Sequence, residues 1–190
     1  LYLAGDRPTY WRSRFSDAAI DHFGLGFDYE SGCPTYPLRN EDGALIGLVR
    51  RRLEPDGPKY VYPQHIKISE LLFGWEKWND DFDGPVVLVE GAMDVVALWE
   101  AGVPALGIYG SRFSERQGKM VRSLYPKYVV CAFDMDAAGD QATKRVYDLV
   151  GDYVTVYRAS WDPDEAKDVA ELSEARRRQV IEEATLFLDS

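Results

Sequence analysis

The spacing of apolar positions changes twice along the chain. Between residues 10 and 23, Tyr10, Trp11, Phe15, Ala18, Ala19 and Phe23 recur at helical intervals, and Ser16-Asp17 can open a turn. From residue 36 the pattern is strand-like. Tyr36–Arg39, the turn Asn40-Glu41-Asp42-Gly43 and Ala44–Arg50 predict strand, turn, strand. Asp56-Gly57-Pro58 marks another turn before the short strand Lys59–Tyr62. A polar, turn-rich stretch follows at residues 78–85. Beyond it, apolar runs alternate with amphipathic segments: strand 86–89, helix 93–101, strand 104–109 and helix 114–124, with Ser114 as its N-cap. Strand 128–133, helix 138–150, strand 153–158 and a last helix over 173–188 complete the series. Such alternation predicts a mostly parallel α/β sheet with right-handed crossovers. The chain therefore divides into a smaller α+β part, residues 1–80, and an α/β part, residues 81–190.

Composition agrees with a folded protein: 46% of the 190 residues are hydrophobic and 13% are aromatic. No apolar run approaches the roughly 20 residues that cross a bilayer. The net charge of −10 excludes a protein that binds nucleic acid over its whole surface. The charge is uneven, however. Residues 1–80 hold 10 Lys/Arg and 12 Asp/Glu, against 12 and 20 in residues 81–190. The first part also contains the run Arg50-Arg51-Arg52, so contact with a polyanion would be local. Cys33 and Cys131 lie far apart and only His22 and His65 accompany them, a poor basis for a zinc site. Few cysteines also fit a reducing compartment. Leu1 in place of Met reads as a piece of a longer chain.

The chemistry concentrates in carboxylates placed at strand ends. In an open parallel sheet, ligands gather at the carboxyl ends of the strands. Glu90 follows the strand 86–89, Asp134 follows the strand 128–133, and Asp136 is two residues on. If those strands are neighbours, three carboxylates meet and repel one another unless a cation joins them. Mg²⁺ takes oxygen ligands, keeps several waters and binds substrate phosphates. Asp94 is one helical turn past Glu90 and reads equally as a partner of the helix dipole. Asp134 and Asp136 also admit a plainer reading, as a strand-to-helix turn with an N-cap.

Taken together, Glu90-Gly91-Ala92-Met93-Asp94 and Phe133-Asp134-Met135-Asp136-Ala137-Ala138-Gly139 resemble the two acidic motifs of the topoisomerase–primase (TOPRIM) domain. The Asp-x-Asp-Ala-Ala-Gly form resembles the bacterial and phage primases (DnaG-like) more than the topoisomerases. The resemblance covers about residues 85–172 and implies a Rossmann-like sheet flanked by helices. It implies Mg²⁺ (or Mn²⁺) on Glu90, Asp134 and Asp136, joined by a further acidic motif. Two candidates compete for that place. Asp162-Pro163-Asp164-Glu165 matches the wording of cellular primases, and Lys167-Asp168 matches that of phage and plasmid relatives. Asp168 is preferred, because its phrase leads into a short helical turn.

Upstream, Leu45–Arg51, Pro58-Lys59-Tyr60 and Lys67 to Leu72-Phe73-Gly74 resemble the basic subdomain that precedes the primase catalytic domain. By that resemblance Arg51, Lys59 and Lys67 bind nucleotide or template phosphates, and Tyr60 and Tyr62 can stack on bases. The implied function is a DNA primase catalytic core, a nucleotidyltransferase that makes short RNA primers from ribonucleoside triphosphates on single-stranded DNA. Glu90 is left open between metal ligand and general base. Implied partners are a replicative helicase or a separate zinc-binding module, and the implied location is the bacterial cytoplasm. A TOPRIM nuclease and a non-catalytic nucleic-acid-binding module are the alternatives. Arg176-Arg177-Arg178 is read as a solvated helix face offset by Glu182 and Glu183. Trp75, Trp78 and Trp99 are read as packing residues.

Overall fold

A computed structural model describes residues 9–54, 56–79 and 82–188. Asp80 and Asp81, in the polar stretch between the two parts, lie outside the described residues. The chain separates into two compact units, residues 1–68 and 69–190.

The first unit opens with α1 (Thr9–Arg12) and α2 (Asp17–Phe23). Ser16 caps α2, its hydroxyl accepting from the Ala19 N–H at 3.2 Å, and Gly24 ends it in the left-handed region at φ 65°. Four antiparallel strands follow in the order β1 (Gly26–Asp28), β2 (Cys33–Arg39), β3 (Leu45–Arg51) and β4 (Tyr60–Val61). The β2–β3 turn falls at Asn40–Gly43, where the Asn40 side chain accepts from the Ala44 N–H at 2.8 Å. Trp11 sits under this sheet, fully buried, and donates from its indole to the Gly26 carbonyl at 2.6 Å.

The second unit is built on a five-stranded sheet. Its elements are β5 (Val86–Val89), α3 (Ala92–Glu100), β6 (Ala105–Gly107), α4 (Glu115–Ser123), β7 (Tyr128–Cys131), α5 (Ala137–Val150), β8 (Thr155–Arg158), α6 (Glu174–Glu182) and β9 (Thr185–Leu186). The strand order is β6-β5-β7-β8-β9, and only the β8–β9 pair is antiparallel. Alternation within each strand sends Val86, Leu88, Val129 and Cys131 into one core with Met120, Val121, Val146 and Val150 of α4 and α5. Val87 and Val89 point the other way and are also fully buried, as a sheet covered on both faces requires. Ser114 caps α4 in a reciprocal box with Gln117. The buried Gln117 amide then donates to the Leu71 and Ile108 carbonyls, fixing the segment before β5 to the sheet. Phe73 adds an isolated bridge to Gly107.

The end of the chain differs from the sequence expectation. The last helix stops at Glu182, and Thr185-Leu186 pairs with Tyr157 and Arg158 as an edge strand. Helix α6 buries only Val180 and Ile181, so little apolar surface rewards its extension. Phe187 instead reaches the core beside Tyr147 while its N–H donates to Val156. No described helix is long and apolar enough to cross a membrane.

Candidate metal-binding active site

Strands β5 and β7 are parallel neighbours, with Val87 opposite Val130 and Leu88 opposite Cys131. The chain leaves β5 toward β6 on one side and returns to β7 on the other. Their carboxyl ends are therefore a topological switch point, where an open crevice forms between diverging loops. Glu90 leaves one strand there and Asp134 leaves the other. A Glu90 carboxylate oxygen accepts from the Asp134 N–H at 3.4 Å.

The turn after β7 depends on a glycine. A side-chain carbon at Gly139 would land on the Asp134 carbonyl oxygen. Helix α5 can approach the strand end this closely only without a Cβ. Asp136 caps the same helix, with Oδ1 accepting from Ala138 and Gly139 N–H groups, both at 2.9 Å. The cap reading of Asp136 thus holds, and both bonds fall on a single oxygen of an exposed carboxylate. On the other loop, Asp94 is buried and one of its oxygens accepts from the Gly91 N–H at 3.0 Å. That bond turns the chain from β5 into α3.

The electrostatics show the crowding directly. Burial pushes the Glu90 carboxyl up to about 7, and the charges of Asp134 and Asp136 add to it. Burial also raises Asp94, to about 8, with Asp168, Asp134 and Glu90 contributing repulsion. Asp168 therefore faces the same cluster. It caps the one-turn helix at Val169–Glu171, accepting from the Glu171 N–H at 3.1 Å. Asp162 exerts no comparable force on these groups. It is exposed and closes its own turn, accepting from the Asp164 N–H at 2.9 Å.

Two arginines hold the carboxylate loops, one unassigned from sequence and one read there as solvated. Arg158, at the end of β8, donates to the carbonyls of Phe133 and Asp134, both at 2.8 Å. Its side chain is only 12% exposed, so these bonds are made largely out of water. Arg177 corrects the reading of residues 176–178 as a solvated face. Its guanidinium donates to Val169 at 3.3 Å, Ala170 at 2.6 Å and Ala97 of α3 at 3.1 Å. It ties the Asp168 turn to the helix that carries Asp94. Arg176 and Arg178 do sit outside, paired with Glu165 and Glu174.

Among the described residues, no three acidic, His or Cys side chains form a ready-made metal cage. That arrangement still suits Mg²⁺, which keeps waters and takes one or two carboxylates plus substrate phosphates. The donor set is all oxygen, and its unrelieved repulsion is what a hard divalent cation removes.

The remaining sequence candidates lie in the first unit. Arg51 is half-buried on β3, donates to the Tyr60 hydroxyl at 2.7 Å and stands 5.5 Å from that ring's centroid. Lys59 lies 5.6 Å from the same centroid. Lys67 is exposed on the segment after β4.

Residues 87–173 match the Toprim-like family. This part of the chain has the TOPRIM fold. The chain is similar in sequence to bacterial DNA primases. It is 34% identical over 121 residues to the DNA primase of Halalkalibacterium halodurans, covering 60% of this chain and 20% of that protein. It is 32% identical over 171 residues to the DNA primase of Synechocystis, covering 76% and 27%. The chain thus spans about a quarter of the length of these relatives. The fold matches the zinc-binding and RNA polymerase domains of Aquifex aeolicus primase with a TM-score of 0.78 at 22% identity, over 98% of this chain and 58% of that one. The RNA polymerase domain of Mycobacterium tuberculosis DnaG matches with a TM-score of 0.72 at 25% identity, over 93% and 75%. The mostly parallel sheet flanked by helices, preceded by an antiparallel one, is the architecture of primase TOPRIM cores.

Proposed function

We propose that this chain is the catalytic core of a DnaG-type DNA primase, joining ribonucleotides into short primers on single-stranded DNA. The observation that carries the reading is the junction of Glu90 and Asp134 across neighbouring strands, with Asp136 repelling Glu90 and Asp168 repelling the adjoining Asp94. A primase catalytic domain of the same fold has been solved bound to single-stranded DNA, which supports a single-stranded template here.

Asp134, Asp136 and Asp168 would hold Mg²⁺ or Mn²⁺, Asp136 through the oxygen its cap leaves over. The metal would neutralise the triphosphate and align the attacking 3′-hydroxyl. Glu90 would act as a further ligand or as the base that accepts that hydroxyl's proton, its carboxyl being raised first of all by burial. Asp94 stays out of the chemistry and holds the Gly91 turn. Arg158 fixes the Asp134 main chain so that its carboxylate keeps one direction. Arg51, Lys59 and Lys67 would bind template or triphosphate phosphates. Positioning and charge neutralisation then supply most of the rate, as in phosphoryl transfer generally.

The test is synthesis of short RNA on a single-stranded template with NTPs and Mg²⁺ or Mn²⁺. Asp134→Ala should abolish product, and full synthesis by that variant would sink the assignment. A parallel incubation without NTPs should leave the template intact. Metal-dependent degradation there would favour a nuclease instead.

A further inference from the structure

The opposite end of the five-stranded sheet carries a second feature. A groove of about 500 Å³ opens where β7 and β8 begin, lined by Lys119, Arg122, Ser123, Tyr125, Pro126, Tyr153 and Val154. The Glu90–Asp134 junction lies where these strands end, so roughly 13 Å of strand separates the two places. No carboxylate lines the groove, in a protein of net charge −10.

Its side chains are built outward. Lys119 and Arg122 are three residues apart on α4 and share a face. Arg122 is fixed: it donates to the Leu149 carbonyl at 2.9 Å, and its guanidinium lies 4.5 Å from the centre of the Tyr153 ring. The Tyr153 ring is nevertheless 72% exposed. Tyr125 is more unusual. It follows the α4 C-cap at φ 48°, in the left-handed conformation that favours glycine there. Its ring is 91% exposed, so packing does not compensate for the strained backbone.

We propose that this groove binds single-stranded nucleic acid, with bases stacking on Tyr125 and Tyr153 and phosphates meeting Lys119 and Arg122. Two exposed aromatic faces beside two cations form the stacking platform and charge track that unpaired strands use. Bases inside a duplex would gain neither ring, because both their faces are already stacked. The site is independent of the carboxylates and needs no metal.

The experiment uses the full chain in EDTA with fluorescent oligothymidylate or oligouridylate carrying 5-iodouracil. Irradiation should crosslink Tyr125 or Tyr153, located by mass spectrometry, and Asp134→Ala should leave this unchanged. The two oligonucleotides distinguish a template-like DNA strand from an RNA strand. Tyr125→Gly should weaken binding roughly fivefold or more while its thermal midpoint holds or rises, since glycine suits the backbone there. Lys119→Glu should lower the slope of log affinity against log salt by about 0.7. A bound oligonucleotide that crosslinks neither tyrosine overturns the proposal. So does wild-type affinity in both variants, or no binding by the wild type.

Discussion

Arg158 grips the main chain of Asp134: its Nη2 donates to that residue's carbonyl at 2.8 Å, and Nη1 donates to the Phe133 carbonyl at the same distance. The planar guanidinium spans two successive carbonyls in a fixed fork, a direction that the rotating donors of an ammonium do not impose. Arg158→Ala should therefore cut primer synthesis about a hundredfold, the scale of a misplacement near 1 Å. It should also cost about 2–3 kcal/mol in urea unfolding, because two carbonyls lose a charged donor. Arg158→Lys should recover part of the stability and little of the activity. Equal recovery of both would show that only the charge matters.

Gly139 makes a sharper case. A methyl group there collides with the Asp134 carbonyl, and the clash is with backbone, which cannot rotate away. Gly139→Ala should destabilise the fold by about 2 kcal/mol and remove activity. Gln141→Ala, two residues on and exposed, should do neither. Activity assays and denaturant melts on the two variants check this.

The pH dependence of stability follows from Glu90 and Asp94. Both carboxyls are raised in the folded chain, to about 7 and about 8. Between pH 4 and 8 the folded state therefore holds more protons than the unfolded state, and stability falls as pH rises. In EDTA the melting temperature should drop from pH 5 to pH 8. Mg²⁺ should restore it most strongly at the upper end, where both groups are ionised. Asp94→Asn keeps an acceptor for the Gly91 N–H and removes the charge. It should raise stability at pH 8 by at least ~1 kcal/mol. A melting temperature that climbs with pH in EDTA would contradict the crowding.

Arg177 predicts a metal phenotype at a residue that is no ligand. Losing its bonds to Val169, Ala170 and Ala97 frees the turn that Asp168 caps. Arg177→Ala should weaken Mn²⁺ binding about tenfold, the lower end for residues that orient metal ligands. Arg178→Ala, on the exposed side, should leave it unchanged. Electron paramagnetic resonance of free Mn²⁺ measures both.

Apolar runs of four residues alternating with amphipathic helices made the parallel sheet legible before any coordinates. The turn at Asn40–Gly43 and the cap at Ser114 were legible for the same reason, since each needs particular side chains at fixed offsets. Two kinds of feature were not. A two-residue edge strand such as Thr185-Leu186 has no periodicity to detect, and it exists because Tyr157 and Arg158 offer an unpaired edge. Arg158 and Arg177 were hidden by their type. An arginine at a strand end or on a polar helix reads as solvated until the fold brings carbonyls to it. Asp136 lies between these cases: its spacing fitted both a ligand and a cap, and the structure shows it capping α5.

The bond between Glu90 and Asp134 joins residues 44 apart in sequence. Two crossovers, with their helices and β6, must be laid down before those two groups can meet. Loop closure of that kind comes late and slows folding. Asp94 and Gly91, by contrast, find each other within one turn. A nascent or partly unfolded chain therefore has its local caps but no acidic pair. The proposed metal site thus needs β5 and β7 paired, and the local caps alone do not supply it.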